Sequence, residues 1–195
     1  MATENLTPIS PDIARAGWTI EGTEGTTNLY AAVDEAPASP TSGNSETIKS
    51  NYSQTNYIQF TMSDTVAMGE SDSCSQIEVK AWACYVDTAG PLNTRIYINS
   101  GWVTSTEGQQ TMLDNWNTHR WYTWTFTGTW TKAQVDGMSV EVTAVDPTGA
   151  YELRVSCLYA VVTYETGEPS PSPSSTLFRG MFKGMWRRTG RLFTL

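Results

Sequence analysis

Apolar and polar residues alternate along most of this chain. A period of two sends successive side chains to opposite faces of a strand. In residues 57–62 the set Ile58, Phe60, Met62 faces one way. In residues 76–86 the set Ile77, Val79, Ala81, Ala83, Tyr85 faces inward, leaving Glu78 and Lys80 to water. Residues 94–99 repeat the pattern with Ile96 and Ile98, and residues 139–145 do so again. The strongest strand signal is residues 120–127, where Tyr122, Trp124 and Phe126 oppose Trp121, Thr123 and Thr125, an aromatic and β-branched mixture suited to a pleated surface. In residues 151–164 the alternation puts Tyr151, Leu153, Val155, Cys157, Tyr159 and Val161 on one face, and the other face turns apolar from Leu158. That predicts a strand whose second half is central or covered on both sides.

Turn signals punctuate these runs at residues 87–91, 99–101, 127–129, 136–137 and 146–149, each supplying Gly, Pro, Asn or Asp where the chain must reverse. Residues 131–137 read as one short helical turn, with Thr131 and Gln134 spaced as a capping box and Gly137 as its stop. Residues 21–56 are rich in Gly, Ser, Thr, Asn and Pro. They predict a long surface excursion along the sheets, outside the core, with one short strand around residues 28–33. The expected fold is all-β, an antiparallel jelly-roll-like β-sandwich of about eight strands.

Charge divides the chain. Residues 1–168 hold 7 Lys+Arg against 20 Asp+Glu, whereas residues 169–195 hold 5 basic residues and no acid. Between them Pro169, Pro171 and Pro173 alternate with serines, removing backbone donors and favouring an extended linker. The expected organisation is an acidic sandwich domain over 1–168, a linker over 169–175 and a basic amphipathic docking tail over 176–195. A body of this length buries roughly two thirds of its unfolded-chain surface, so it folds without a disulfide or metal scaffold. The net charge of −8 argues against nucleic acid as a partner, since phosphate binding draws on Lys and Arg.

The tail carries apolar doublets Leu177-Phe178, Met181-Phe182 and Met185-Trp186, with cations Arg179, Lys183, Arg187 and Arg188 between them. A step of four residues turns a helix by about 400°, so the doublets form one apolar stripe. Gly180 and Gly184 weaken such a helix by about 1 kcal/mol each, so its order must come from a partner. The favoured partner is a groove in another protein; membrane-surface binding is the lesser reading.

Chemistry-bearing motifs are sparse. The single histidine, His119, provides neither a multi-His metal site nor a nucleophile dyad, and it reads as a strand-edge or interface residue. No nucleophile elbow, phosphate-cradling loop, zinc motif or EF-hand spacing occurs. Asp12, Asp34, Asp64 and Asp72 read as solvated acids. The expectation is a non-enzyme with no catalytic residue, metal or cofactor. Cys74, Cys84 and Cys157 read as buried free thiols. The first residues lack the basic start and apolar run of a signal peptide, which predicts synthesis in a cytoplasm.

Five tryptophans fall within residues 102–130. Trp124 shares a face with Tyr122 and Phe126 and reads as core. Trp116 and Trp121 are freer to meet a neighbouring subunit or to stack on a glycan.

Residues 12–18 (Asp-Ile-Ala-Arg-Ala-Gly-Trp) are followed by Asn-Leu-Tyr-Ala-Ala-Val-Asp-Glu at 28–35, a Ser/Thr/Asn loop and Tyr57-Ile58-Gln59. In these segments the chain resembles β-sandwich structural proteins of tailed phages and prophages. The likeness covers half of the body, excludes the tail and carries no catalytic residues. It implies a virion structural role: capsid decoration, head fibre or neck appendage. On that reading the tail anchors to a capsid, neck or neighbouring-subunit groove and the sandwich is displayed outward in a homo-oligomer, with trimers as one form. The alternative is a carbohydrate-binding module that attaches to host glycans through exposed tryptophans.

Overall fold

Two antiparallel sheets pack against each other around one apolar core. The structure, a computed structural model, describes residues 1–14, 18–20, 29–34, 47–50, 55–86, 90–112, 118–145 and 152–167. The linker, the tail and Trp116 lie outside the described residues.

The strands in chain order are β1 (Ala2–Leu6), β2 (Pro8–Ala14), β3 (Trp18–Ile20), β4 (Ile48–Ser50), β5 (Thr55–Met62), β6 (Ser73–Val86), β7 (Gly90–Ile98), β8 (Gly101–Thr104), β9 (Gln110–Met112), β10 (Arg120–Thr131), β11 (Ser139–Val145) and β12 (Glu152–Glu165). Sheet A runs β10-β6-β12-β4-β3, with β1 also paired to β12; sheet B runs β2-β5-β11-β7-β8, with β9 also paired to β7. The expected all-β sandwich is therefore observed. The described strands number twelve because β3, β4, β8 and β9 have only three or four residues each, too few for alternation to register.

The first two strands divide between the sheets. Thr7 is the corner: its N–H donates to Ser63 Oγ at 3.1 Å, and its carbonyl accepts from Ser63 N at 2.8 Å. Pro8 follows with no amide proton to satisfy, which suits a strand start. The inner faces hold Ile58, Phe60 and Met62 of β5, Val140 and Val142 of β11, Ile77, Val79, Ala81, Ala83 and Tyr85 of β6, and Trp124 and Phe126 of β10, all fully buried. Each large side chain buried this way contributes about 1.5–3 kcal/mol. The indole N–H of Trp124 donates to Gly108 O at 3.0 Å, so the ring is buried without an orphaned donor.

Three departures from the sequence pattern have local causes. Of the strand expected around residues 28–33, the described part, 29–33, is not a strand: Leu29–Ala32 is a 3₁₀ turn that buries Leu29, Ala32 and Val33, an i, i+3, i+4 set that alternation does not describe. Together with β4, where Ile48 is fully buried, this turn gives the 21–56 region a share of the core. Residues 127–129 do not reverse the chain. They lie inside β10, in an irregular register between Thr127 and Trp130, and Gly128 is required there because a Cβ would fall 2.4 Å from Trp130 Cζ2.

The third departure changes a face. Val155 pairs with Ala83 and Cys157 with Trp82, so Ser156 is an extra residue that makes a β-bulge. Leu153 and Val155 point inward before it. After it Leu158, Ala160 and Val162 are the inward, fully buried set, and Cys157, Tyr159 and Val161 belong to the outer face, so they do not share a face with Leu153 and Val155 as the alternation predicts. β12 is nevertheless central, paired to β6 on one side and to β1 and β4 on the other.

The helical turn α1 (Lys132–Asp136) is capped as expected. Thr131 and Gln134 form a reciprocal capping box, and Gly137 is the C-cap. All three cysteines are buried, and none is in a disulfide. Among the described residues no helix is long and apolar enough to cross a membrane.

Candidate functional site

The outer face of sheet A carries an aromatic cluster that the strand registers assemble. Trp121 of β10 lies directly opposite Trp82 of β6, and Tyr159 of β12 lies opposite Lys80 of β6. Since Ala81 and Ala83 point inward, Trp82 and its partners point out. The Trp82 and Trp121 rings are 5.3 Å apart at 52°, and Trp121 meets Tyr159 edge-on at 5.4 Å and 86°. Two strand spacings separate β10 from β12, about 10 Å, so the Trp121 and Tyr159 rings lean over β6 to touch. Trp121 stays 37% exposed, while Trp82 and Tyr159 are half-buried. Burial raises the Tyr159 phenol above its ordinary pKa, keeping it a neutral donor and acceptor.

Beside the rings runs a polar row on β6. Gln76 Nε2 donates to Glu78 Oε1 at 3.2 Å, and Lys80 Nζ sits 3.1 Å from Glu78 Oε2. The pair is balanced in charge and half-buried. Thr123 and Thr125 on β10, and Thr163 on β12, extend the same face. The face thus has an aromatic end and a row of hydrogen-bonding groups.

Behind the aromatic end lies a buried polar chain. His119, which immediately precedes β10, stacks on Trp82 with centroids 6.3 Å apart and planes 19° from parallel. Its Nε2 is 2.9 Å from Ser156 Oγ and 3.7 Å from Cys84 Sγ, and Ser156 Oγ is 2.8 Å from Thr47 Oγ1. The extra residue of the bulge thus has its hydroxyl bonded on two sides. Burial, then the positive charge of Arg154, lowers the His119 pKa to about 4, so the ring is neutral near pH 7.

A Ser–His contact of this length is what a nucleophile and its base require. Here Ser156 is fully buried and shares its hydroxyl with Thr47, so it offers no oxygen to a substrate. The arrangement locks the bulge and backs the Trp82 ring. Among the described residues no three His, Cys, Asp or Glu side chains converge as a metal site. Asp72 is engaged locally, accepting from Gly69 N at 2.7 Å and Gly167 N at 2.8 Å.

Of the residues singled out in the sequence, Trp121 lies in this cluster, Trp124 and Phe126 are core, and Trp116 and the tail residues 177–188 fall outside the described set. Sequence reading missed Trp82 and Tyr159. Trp82 was visible in the alternation as a partner of Glu78 and Lys80, whereas Tyr159 was concealed by the Ser156 bulge.

No protein-family model and no curated protein sequence matches the chain. Among solved structures it is similar to a carbohydrate-binding module specific for non-crystalline cellulose, at 14% identity and a TM-score of 0.29, over 81% of this chain and 94% of that one. A likeness of this size carries no functional argument, and the class defined by the geometry is an all-β sandwich.

Proposed function

We propose that this protein is a non-catalytic β-sandwich module that binds carbohydrate on the outer face of sheet A. The observation that supports it is Trp121, an indole 37% exposed and held between Trp82 and Tyr159 beside the Gln76-Glu78-Lys80 row. A sugar ring has an apolar C–H face and an equatorial rim of hydroxyls. An anchored indole takes the first, and balanced polar groups take the second. Glycan-array binding by the purified protein, with a set of signals lost on Trp121→Ala and the fold retained, is the expected result. Unchanged binding in that variant, or a silent array for the parent, refutes the reading.

The division of charge favours a second element. The basic amphipathic segment 176–195 anchors the acidic sandwich to a virion partner, a capsid, neck or neighbouring-subunit groove, and copies assemble as an oligomer so that weak contacts add. Deleting residues 176–195 leaves a folded body that no longer incorporates into particles. Normal incorporation of the truncated chain rules the anchor out.

A further inference from the structure

We propose a second carbohydrate site on the opposite side of the molecule, formed on the outer face of sheet B by Arg95, Tyr97 and Trp102, with a neutral sugar ring as its ligand. It does not rest on the sheet A reading. Along β7 the residues Leu92, Thr94, Ile96 and Ile98 are buried and alternate with outward ones, which puts Arg95 and Tyr97 outside. Trp102 of β8 lies directly opposite Tyr97. A two-residue turn, Asn99-Ser100, fixes that register; both residues have positive φ, 53° and 61°, as a type I′ hairpin requires.

The rings of Tyr97 and Trp102 meet at 5.0 Å and 64°. The Arg95 guanidinium carbon lies 4.3 Å from the Trp102 centroid, so one face of the indole rests on a cation. Trp102 is still 39% exposed and Tyr97 37%, so both rings keep surface open to solvent. Such a ring is a platform already held in place, and a ligand that stacks on it pays little to order it.

Arg95 itself is fixed. Its Nε and Nη2 donate to the two oxygens of Glu141 at 2.8 and 3.2 Å. Glu141 has a side-chain exposure of 2%, against 38% for Arg95, and takes a further bond from Thr143 Oγ1 at 2.9 Å. This fork pairs the guanidinium charge through Nε and Nη2, which leaves Nη1 outside the two bonds to Glu141. A charge-paired, oriented donor next to an exposed aromatic ring suits a hydroxyl oxygen above a C–H surface. An anion gains little from a cation whose charge is already matched, and the excess of 13 negative charges over residues 1–168 repels it further. The competing occupant is a second copy added along the short edge strand β8.

The test is a printed array of neutral oligosaccharides probed with the full chain and with Trp102→Ala, Tyr97→Ala and Trp121→Ala. The first two substitutions leave the Arg95–Glu141 fork in place, and circular dichroism verifies their folds. The expected result is a set of signals weakened about tenfold or more by Trp102→Ala and by Tyr97→Ala and retained in Trp121→Ala. Signals indifferent to both sheet B substitutions overturn the proposal, as does an array with no signal for the parent. Light scattering that finds a dimer, converted to monomer by Trp102→Ala, overturns it in favour of the second copy. Loss only in Trp121→Ala sinks the sheet B site and leaves the sheet A site standing, and loss only in the two sheet B variants does the reverse.

Discussion

Acid should weaken this fold through His119 in addition to its carboxylates. His119 is 9% exposed and its pKa falls from 6.5 to about 4, by burial first and the Arg154 charge second. The unfolded chain therefore takes up a proton near pH 6.5 that the folded chain refuses until about pH 4. Between those values the unfolded state binds more protons, so stability rises with pH and is lost as pH falls through the window. At about 1.4 kcal/mol per pKa unit the loss has a ceiling of roughly 3 kcal/mol, and partial solvation of the ring brings it to about 2. Arg154 opposes the imidazolium although its Nε donates to Glu152 Oε1 at 2.7 Å, and the Cys84 thiol and Ser156 hydroxyl that face His119 bring no compensating negative charge. Urea titrations followed by tryptophan fluorescence at pH 7, 6, 5 and 4 measure the effect against His119→Gln, which does not titrate. Carboxylates such as Asp136, held below its ordinary pKa by Lys132 and Thr65 against the opposing effect of burial, weaken both proteins alike and cancel in the difference. The parent should lose about 2 kcal/mol more than the variant between pH 6.5 and 4. A difference between the two that stays constant across that range refutes the reasoning.

Other perturbations follow from single positions. Ser100→Gly removes a left-handed non-glycine residue, φ 61°, and should raise stability by up to about 1 kcal/mol, read as a higher melting temperature. Gly128→Ala puts a methyl 2.4 Å from the Trp130 ring and should cost about 1–3 kcal/mol in urea unfolding as that buried ring is displaced. Cys74, with its thiol pushed up to about 11 by burial, and the buried Cys84 and Cys157 should resist Ellman's reagent in the native protein and all react in denaturant.

Strand identity was legible wherever alternation ran for six residues or more, as in β5, β6, β10 and β11, because burial of one face imposes that period. The helical turn was legible from Thr131, Gln134 and Gly137, since capping is local chemistry. Residues 28–33 misled because Leu29, Ala32 and Val33 suit a strand in composition, and only tertiary packing makes their three-residue spacing the relevant one. The candidate site was half legible. Trp121 followed from opposition to Trp124, but its neighbours come from strands 39 and 38 positions away in sequence, Trp82 and Tyr159, and pairing across that separation leaves no trace in either segment alone. The sheet B site was hidden differently: Arg95 and Glu141 lie on strands far apart in sequence, and only their adjacency on β7 and β11 makes a fork.

The Ser156 bulge connects the irregularity of the fold to the surface that is proposed to act. With an unbroken ladder, the residue after Val155 would pass to the outer face and Tyr159 would share Val155's inward phase, leaving Leu158 against solvent. One extra residue exchanges those faces. Leu158, Ala160 and Val162 enter the core, and Tyr159 comes out to close the cluster around Trp121. An inserted residue in a central strand disturbs the ladder and introduces a polar side chain into a buried position, a cost that needs compensation. The compensation is visible: the Ser156 hydroxyl is bonded to Thr47 and His119, and His119 is stacked on Trp82. The same chain that satisfies the bulge therefore also stiffens the ring on which Trp121 leans. A bulge kept only to relieve strand twist would have no need of an aromatic neighbour, whereas one that exposes a platform needs both its phase shift and its backing.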